Sequence, residues 1–197
     1  RVADGRALVK AVEQYKPDIA LVDIALPLLN GLDACRQIKK AAPEVKLLIL
    51  TMHGEQYFVT EAFRAGVSGY MLKQSVAEEL IFAIREVLKG RLYVSPSVAE
   101  NLVEQALHPD EGGPSRSIES SGKLSARQRE VLQLIAEGQS TKEIASTLNV
   151  SIKTVEFHKT RIMKQLGVHS TAELPKHAIA IGLIAMPRQP TVPAPQA

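Results

Sequence analysis

The chain has 197 residues, 45% hydrophobic and 23% charged, with a formal net charge of +3 and a single cysteine. One cysteine, Cys35, excludes an internal disulfide and fits a reducing cytosol with a structural thiol. No apolar run of about eighteen residues occurs, so no membrane-spanning helix is expected, and the apolar content can supply two modest cores.

Three short, nearly continuous apolar runs mark the first half: Ile19 to Val22, Lys46 to Leu50 and Gly69 to Leu72. Such runs are expected of strands covered on both faces. Amphipathic stretches at about 31–42, 54–65 and 75–89 alternate with them, each long enough for a crossover helix. The pattern predicts a doubly wound α/β layer, in which ligand sites gather at the carboxyl ends of the strands.

Asp23, Thr51 and Lys73 stand at three successive strand ends. Singly, an Asp or Thr there usually caps a turn, and a Lys is usually just solvated. Together, a carboxylate can attack a phosphoryl donor, a hydroxyl can bond the new phosphoryl group and an ammonium can pair with its charge. The phrases PDIALVDIALPLLNGLDA, LLILTMH and AGVSGYMLK resemble a response-regulator receiver domain, over residues 1–90.

That resemblance implies Asp23 as phosphoacceptor, Thr51 as switch hydroxyl, Lys73 as the lysine of the site and Tyr70 as the aromatic switch. It also implies Mg²⁺ held by Asp23 and the backbone carbonyl of Ala25, and a flavodoxin-like sheet of order 2-1-3-4-5. The first two strands of that sheet, and the acidic pair ending the first, have no counterpart here. The chain therefore reads as truncated at its N-terminus, leaving the Asp23 strand as an exposed apolar edge. Tight Mg²⁺ binding and efficient phosphorylation are expected only of the N-terminally complete protein. Tyr70 also has a plainer reading, as a packing residue of its strand, which is the less favoured of the two. A phosphotransferase of the haloacid dehalogenase type would carry a second Asp two residues after its nucleophile; Ala25 occupies that position, so no enzyme is expected.

Residues 91–122 read as a helix and a linker. Ser95-Pro96 starts a helix to about Leu107, because Ser caps and Pro fits a first turn. The stretch from His108 to Gly122, HPDEGGPSRSIESSG, is rich in Gly, Ser and Pro and reads as flexible.

Residues 123–184 change character. Ser125 with Gln128, and Ser140 with Glu143, have the spacing of capping boxes. Gly138 and Gly167 mark helix ends, and Asn149-Val150-Ser151 makes a tight turn before a third helix. Val131, Leu132 and Ile135, then Ile144, Ala145 and Leu148, then Val155, Ile162 and Leu166 supply the buried faces. The segment holds nine Lys and Arg against five Glu, a balance of +4 that exceeds the charge of the whole chain. Cations along one helix neutralise phosphates and release counterions, whereas charge alone fits a merely solvated basic helix equally well. The tight turn and successive capping boxes favour a helix-turn-helix.

From Leu124 to about Ile184 the wording resembles the LuxR-type (NarL/FixJ) domain, LSxRExEVLxLIAxGxSxKEIAxxLxVSxKTVExHxxxIMxKLGV. The resemblance implies that Glu156, Phe157 and Thr160 face bases, while Lys142, Lys153, Thr154, Lys159 and Lys164 grip phosphates of double-stranded DNA. It also implies a dimerisation helix near Ser170 to Ile184 presenting Ile179, Leu183 and Ile184, although Pro175 departs from the family pattern. A sigma-factor fourth region has a similar helix-turn-helix but would not explain the first half. The tail over 185–197, rich in proline, is expected to be disordered. The five histidines lack ligand spacing, so no zinc is expected.

The sequence thus predicts a cytoplasmic two-component transcription factor, phosphorylated on Asp23 by a sensor histidine kinase and paired as a homodimer on DNA, with no membrane contact. The alternative is a phosphorylation-independent regulator whose receiver serves as a dimerisation module.

Overall fold

The computed structural model describes residues 1–75, 77–107 and 124–184; the linker expected over 108–122 and the tail expected from 185 lie outside the described residues. Helix α1 (Gly5–Tyr15) comes first, capped by Asp4, whose carboxylate accepts from Ala7 N at 2.8 Å. It was not anticipated, because its apolar signal is short: besides Gly5, only Leu8 and Val12, one turn apart, are buried.

Strands β1 (Ile19–Val22), β2 (Lys46–Thr51), β3 (Gly69–Leu72) and β4 (Tyr93–Val94) form a parallel sheet in the order β1-β2-β3-β4. Helices α2 (Gly31–Ala41), α3 (Gln56–Arg64) and α4 (Ala77–Leu88) make the crossovers, and α5 (Pro96–Leu107) follows β4. The first three strands and their helices fall where the apolar runs place them. β4 is an addition. Two residues are too few to show a period, and the strand exists because Tyr93 N and Ser95 N reach the carbonyls of Ser68 and Tyr70, each at 3.0 Å.

The sheet carries the first core. Leu47, Leu48, Ile49, Tyr70 and Met71 are fully buried, each contributing about 1.5–3 kcal/mol if wholly removed from water. β1 lies at the sheet edge, as expected, and Leu21 is 45% exposed.

The second unit contains α6 (Ala126–Ala136), α7 (Thr141–Leu148), α8 (Ile152–Leu166), a 3₁₀ turn (Thr171–Glu173) and α9 (Leu174–Ala180). Both anticipated capping boxes are closed: Ser125 with Gln128 and Ser140 with Glu143 exchange side-chain and backbone bonds. Helix α7 ends on left-handed Asn149 and α8 on left-handed Gly167. Val131, Leu132, Leu134, Ile144, Val155 and Ile162 form the centre of this core. The last helix differs from expectation. Ser170 and Glu173 cap the 3₁₀ turn, and α9 starts only at Leu174. Pro175 therefore sits in the first helical turn, where no intrahelical N–H is needed, and it costs nothing.

Candidate phosphoryl site and nucleic-acid interface

The parallel register brings the sequence-predicted rim together. Val22 pairs with Ile49, and Thr51 with Leu72, so Asp23, Thr51 and Lys73 emerge at the same edge of the sheet. The Lys73 ammonium donates to Asp23 Oδ2 across a separation of 50 residues. Both groups stay reachable, with side chains 40% and 26% exposed. Lys73 N also donates to the Thr51 carbonyl at 2.7 Å, which ties the β3 end to the β2 end. Thr51 is fully buried, and its Oγ1 accepts from His53 N at 3.4 Å.

The loop after Asp23 is shaped by sterics. Ala25 N donates to Asp23 Oδ1 at 3.4 Å, and Gly31 N donates to the Ile24 carbonyl at 2.8 Å. A Cβ on Gly31 would lie 2.0 Å from the Asp23 backbone carbonyl oxygen, so only glycine allows α2 to start this close to the backbone at the end of β1. Tyr70 is also fully buried, and its hydroxyl donates to the His53 carbonyl at 2.7 Å. Burial, reinforced by the charge of Glu55, holds this phenol well above its ordinary pKa, so it stays a neutral donor. Burial likewise pushes the Cys35 thiol up to about 12, consistent with a packing residue.

Among the described residues, no group of three or more His, Cys, Asp or Glu gathers. Mg²⁺ favours an octahedral shell of hard oxygens. Here the rim offers the Asp23 carboxylate, already paired through Oδ2, and nearby backbone carbonyls. By themselves these residues do not make a divalent-cation site.

On the second unit, Lys142 lies in the first turn of α7, and the other seven predicted contacts lie on α8. Lys153, Glu156, Phe157, Thr160 and Lys164 are exposed, while Thr154 and Lys159 are half-buried. Among the described residues, Lys142, Lys153, Lys159 and Lys164 form no ion pair. Phe157 is 55% exposed and carries the Arg161 guanidinium 5.0 Å from its ring centre. His158 turns inward, and its imidazole is held below its ordinary pKa by partial burial and by the charges of Arg127 and Arg161. Thr160 Oγ1 donates to the Glu156 carbonyl at 3.0 Å, one turn back along the helix.

Sequence reasoning missed a third constellation, where the two units meet. Asp33 and Arg129 form a bidentate pair, with Nη2 to Oδ1 at 2.6 Å and Nε to Oδ2 at 3.0 Å. Gln133 accepts from Asn30 N at 2.7 Å and donates to the Leu26 carbonyl at 2.8 Å. Glu137 accepts from Leu28 N at 3.1 Å. No local signal marked it: Gln133 shares its helix face with Arg129, Glu130 and Glu137, a polar stripe that is buried only because the receiver loop lies against it.

Comparison with known proteins agrees with this architecture. Residues 1–85 match the response regulator receiver domain family, and residues 122–178 match the family of bacterial regulatory proteins, luxR family. The oxygen regulatory protein NreC of Staphylococcus aureus is 40% identical over 178 residues, covering 90% of this chain and 82% of NreC. A LuxR-family two-component response regulator from Aurantimonas sp. SI85-9A1 superposes with a TM-score of 0.52 at 36% identity, over 54% of this chain and 76% of that one. RcsB from Salmonella enterica serovar Typhimurium, solved bound to promoter rprA with the phosphomimetic BeF3-, gives a TM-score of 0.54 at 26% identity, over 88% of this chain and 81% of RcsB. With a receiver sheet, a helical regulatory domain and a relative this similar over most of its length, the chain belongs to the LuxR-family two-component response regulators.

Proposed function

We propose that Asp23 accepts a phosphoryl group from a sensor histidine kinase and that this event controls binding of the helical domain to double-stranded DNA. The observation that carries the reading is the Lys73–Asp23 ion pair at the sheet rim, beside the buried hydroxyl of Thr51. An Asp23 carboxylate oxygen attacks phosphorus, the bond from phosphorus to the donor breaks, and an aspartyl phosphate remains. Lys73 then transfers its ion pair from the carboxylate to the phosphoryl oxygens. Thr51 turns its hydroxyl toward the same oxygens, giving up the contact from His53 N. Tyr70, hydrogen-bonded to the His53 carbonyl, moves with that segment. Each step uses this chain's own side chains; bound Mg²⁺ would add charge neutralisation at the phosphoryl oxygens.

The phosphoryl group ends on the protein itself, so the reading is of a cytoplasmic regulator without catalytic turnover. In the helical domain, Lys142, Lys153, Thr154, Lys159 and Lys164 serve phosphate contacts, and Glu156, Phe157 and Thr160 serve base contacts. The paired half-sites of such regulators suit a homodimer. RcsB, solved on promoter DNA, supplies the analogy.

The test is the DNA affinity of the full-length protein at fixed salt, with and without Mg²⁺ and acetyl phosphate. Tighter binding in the presence of the donor, absent in Asp23→Asn, is the expected result. Equal affinity with and without the donor would favour a phosphorylation-independent regulator whose receiver serves as a dimerisation scaffold.

A further inference from the structure

Helix α8 carries an aromatic ring on the same face as its lysines. Val155 and Ile162 are its buried residues, and at the helical period Lys153, Glu156, Phe157, Thr160, Arg161 and Lys164 share the opposite side. A phenyl ring gains nothing from a phosphate, so the row of cations does not account for Phe157, which is 55% exposed. The ring is nonetheless held in place. The Arg161 guanidinium lies 5.0 Å from its centre, and the half-buried His158 ring meets it edge-on at 5.7 Å and 70°. With these two contacts already made, the side chain has less rotamer freedom to lose when a ligand covers it.

The chemistry of this face sorts what each side chain can read. The Thr160 hydroxyl donates to the Glu156 carbonyl at 3.0 Å, so its one proton is already engaged. The Glu156 carboxylate is an acceptor only. Phe157 has no polar atom at all. In the DNA major groove the apolar feature that marks one base is the thymine C5-methyl, and a phenyl ring is suited to cover it. Arg161, to which the family resemblance assigns no role, has no ion pair among the described residues. Its planar fork matches the O6 and N7 acceptors of guanine. Arg161 follows Phe157 by four residues, about 6 Å along the helix axis, against about 3.4 Å between successive base pairs. The two side chains therefore reach base pairs no more than two steps apart.

We infer that Phe157 and Arg161 act as one reading unit: the phenyl ring covers the methyl group of a thymine, and the guanidinium forks onto a guanine within two base pairs of it. This rests on the assignment of α8 as the helix that faces DNA bases, and it names the sequence feature read there. The ring quadrupole holds the guanidinium, so the two contacts are coupled and truncating either side chain weakens the other's reading. The thymine contact depends on a single methyl group. Uracil pairs as thymine does and differs only by that methyl, so a uracil at the same place leaves the ring facing water. Loss of one buried methyl should weaken binding roughly fourfold, and loss of the guanine fork about tenfold or more.

The experiment uses the full-length protein to select its preferred duplex from a randomised pool. Each thymine of that duplex is then replaced singly by uracil, and each guanine by 7-deazaguanine, which lacks the N7 acceptor. Wild type is expected to lose roughly fourfold in affinity at one thymine of each half-site and about tenfold at a guanine within two base pairs of it. Phe157→Ala should bind the thymine and uracil duplexes alike, and Phe157→Leu, which keeps an apolar group, should restore part of the difference. Arg161→Lys retains the charge but not the fork and should become indifferent to 7-deazaguanine. Both positions are exposed, so neither substitution removes a core residue, and circular dichroism checks that each variant is folded. A uracil scan that is flat for wild type, or that Phe157→Ala reproduces, overturns the methyl contact and leaves α8 as a base-facing helix. An undiminished response of Arg161→Lys to 7-deazaguanine overturns the unit by removing its guanine half. Failure of the pool to enrich any sequence, with all duplexes bound alike, would instead defeat the base-facing assignment of α8 and the reading unit with it.

Discussion

Helices α6 and α8 are both rich in cations, yet they use them differently. On α6, Arg127 donates to Glu130 at 2.7 Å and Arg129 clasps Asp33 of the receiver. On α8, Lys153, Lys159 and Lys164 have no ion pair among the described residues, and Arg161 lies over the ring of Phe157. The α6 cations are completed inside the protein. Those of α8 have no acidic partner among the described residues, and on the proposed function they meet a nucleic-acid backbone. One domain thus separates cations paired with its own receiver from cations left unpaired among the described residues, and a charge count alone does not reveal which is which.

The largest expected effect tests whether the two faces share one rigid body. Ile162 of α8 is fully buried in the core that it shares with Val131 and Leu132 of α6. Ile162→Ala removes buried methyl groups and leaves a cavity, which should cost about 2–5 kcal/mol of domain stability in chemical denaturation. A cost below about 1 kcal/mol would mean that α8 is held some other way and that its alignment with α6 is loose.

The strand-end triad was legible because the physics is periodic and local. Continuous apolar runs gave three strands, and the residue following or ending each run gave Asp23, Thr51 and Lys73. The capping boxes at Ser125 and Ser140 were legible for the same reason, since each closes within four residues. The Asp33–Arg129 pair was not, because its partners lie 96 residues apart and each is unremarkable on its own helix. Strand β4 was hidden by its two-residue length, and the start of α9 by a 3₁₀ turn that shifts Pro175 into a harmless position. The close contact of Phe58 with Gly182 was equally invisible, because glycine at the end of a helix ordinarily signals only a turn.

The α6 face can be challenged with protons. Burial opposes ionisation of Asp33, but the hydrogen bonds and charge of Arg129, the Asn30 amide and the charge of Arg36 outweigh it. The carboxyl is held below its ordinary range. Arg36 is shared with Glu61 of α3 at 2.6 Å, and Tyr57 and Glu61 also face Arg129. A depressed carboxylate pKa stabilises the packed arrangement of the two units above the ordinary carboxylate range, and that contribution fades as pH falls through the depressed value. The radius of gyration should therefore be constant from neutral pH to about pH 5 and grow below about pH 4, while far-ultraviolet dichroism persists. Asp33→Asn should be expanded at neutral pH and lack this dependence. A wild-type radius at neutral pH no smaller than that of Asp33→Asn would show that the pair does not hold the seam between the two units.

The α8 face makes a smaller and more selective prediction. Lys159 is half-buried, and among the described residues its ammonium has no acidic partner. If it contacts a phosphate, Lys159→Ala loses one counterion-releasing contact. Affinity should then fall to a similar extent on all duplexes, and the slope of log affinity against log salt should flatten by about one unit. A base-reading side chain behaves otherwise: its loss costs about 1–3 kcal/mol on the preferred duplex and little on others, with the salt slope unchanged. The same pair of titrations on Arg129→Ala distinguishes the two helices directly. Arg129 is completed by Asp33, so its removal should leave the slope intact. A slope that flattened for both variants would erase the separation between α6 and α8 and return both to a single undivided basic surface.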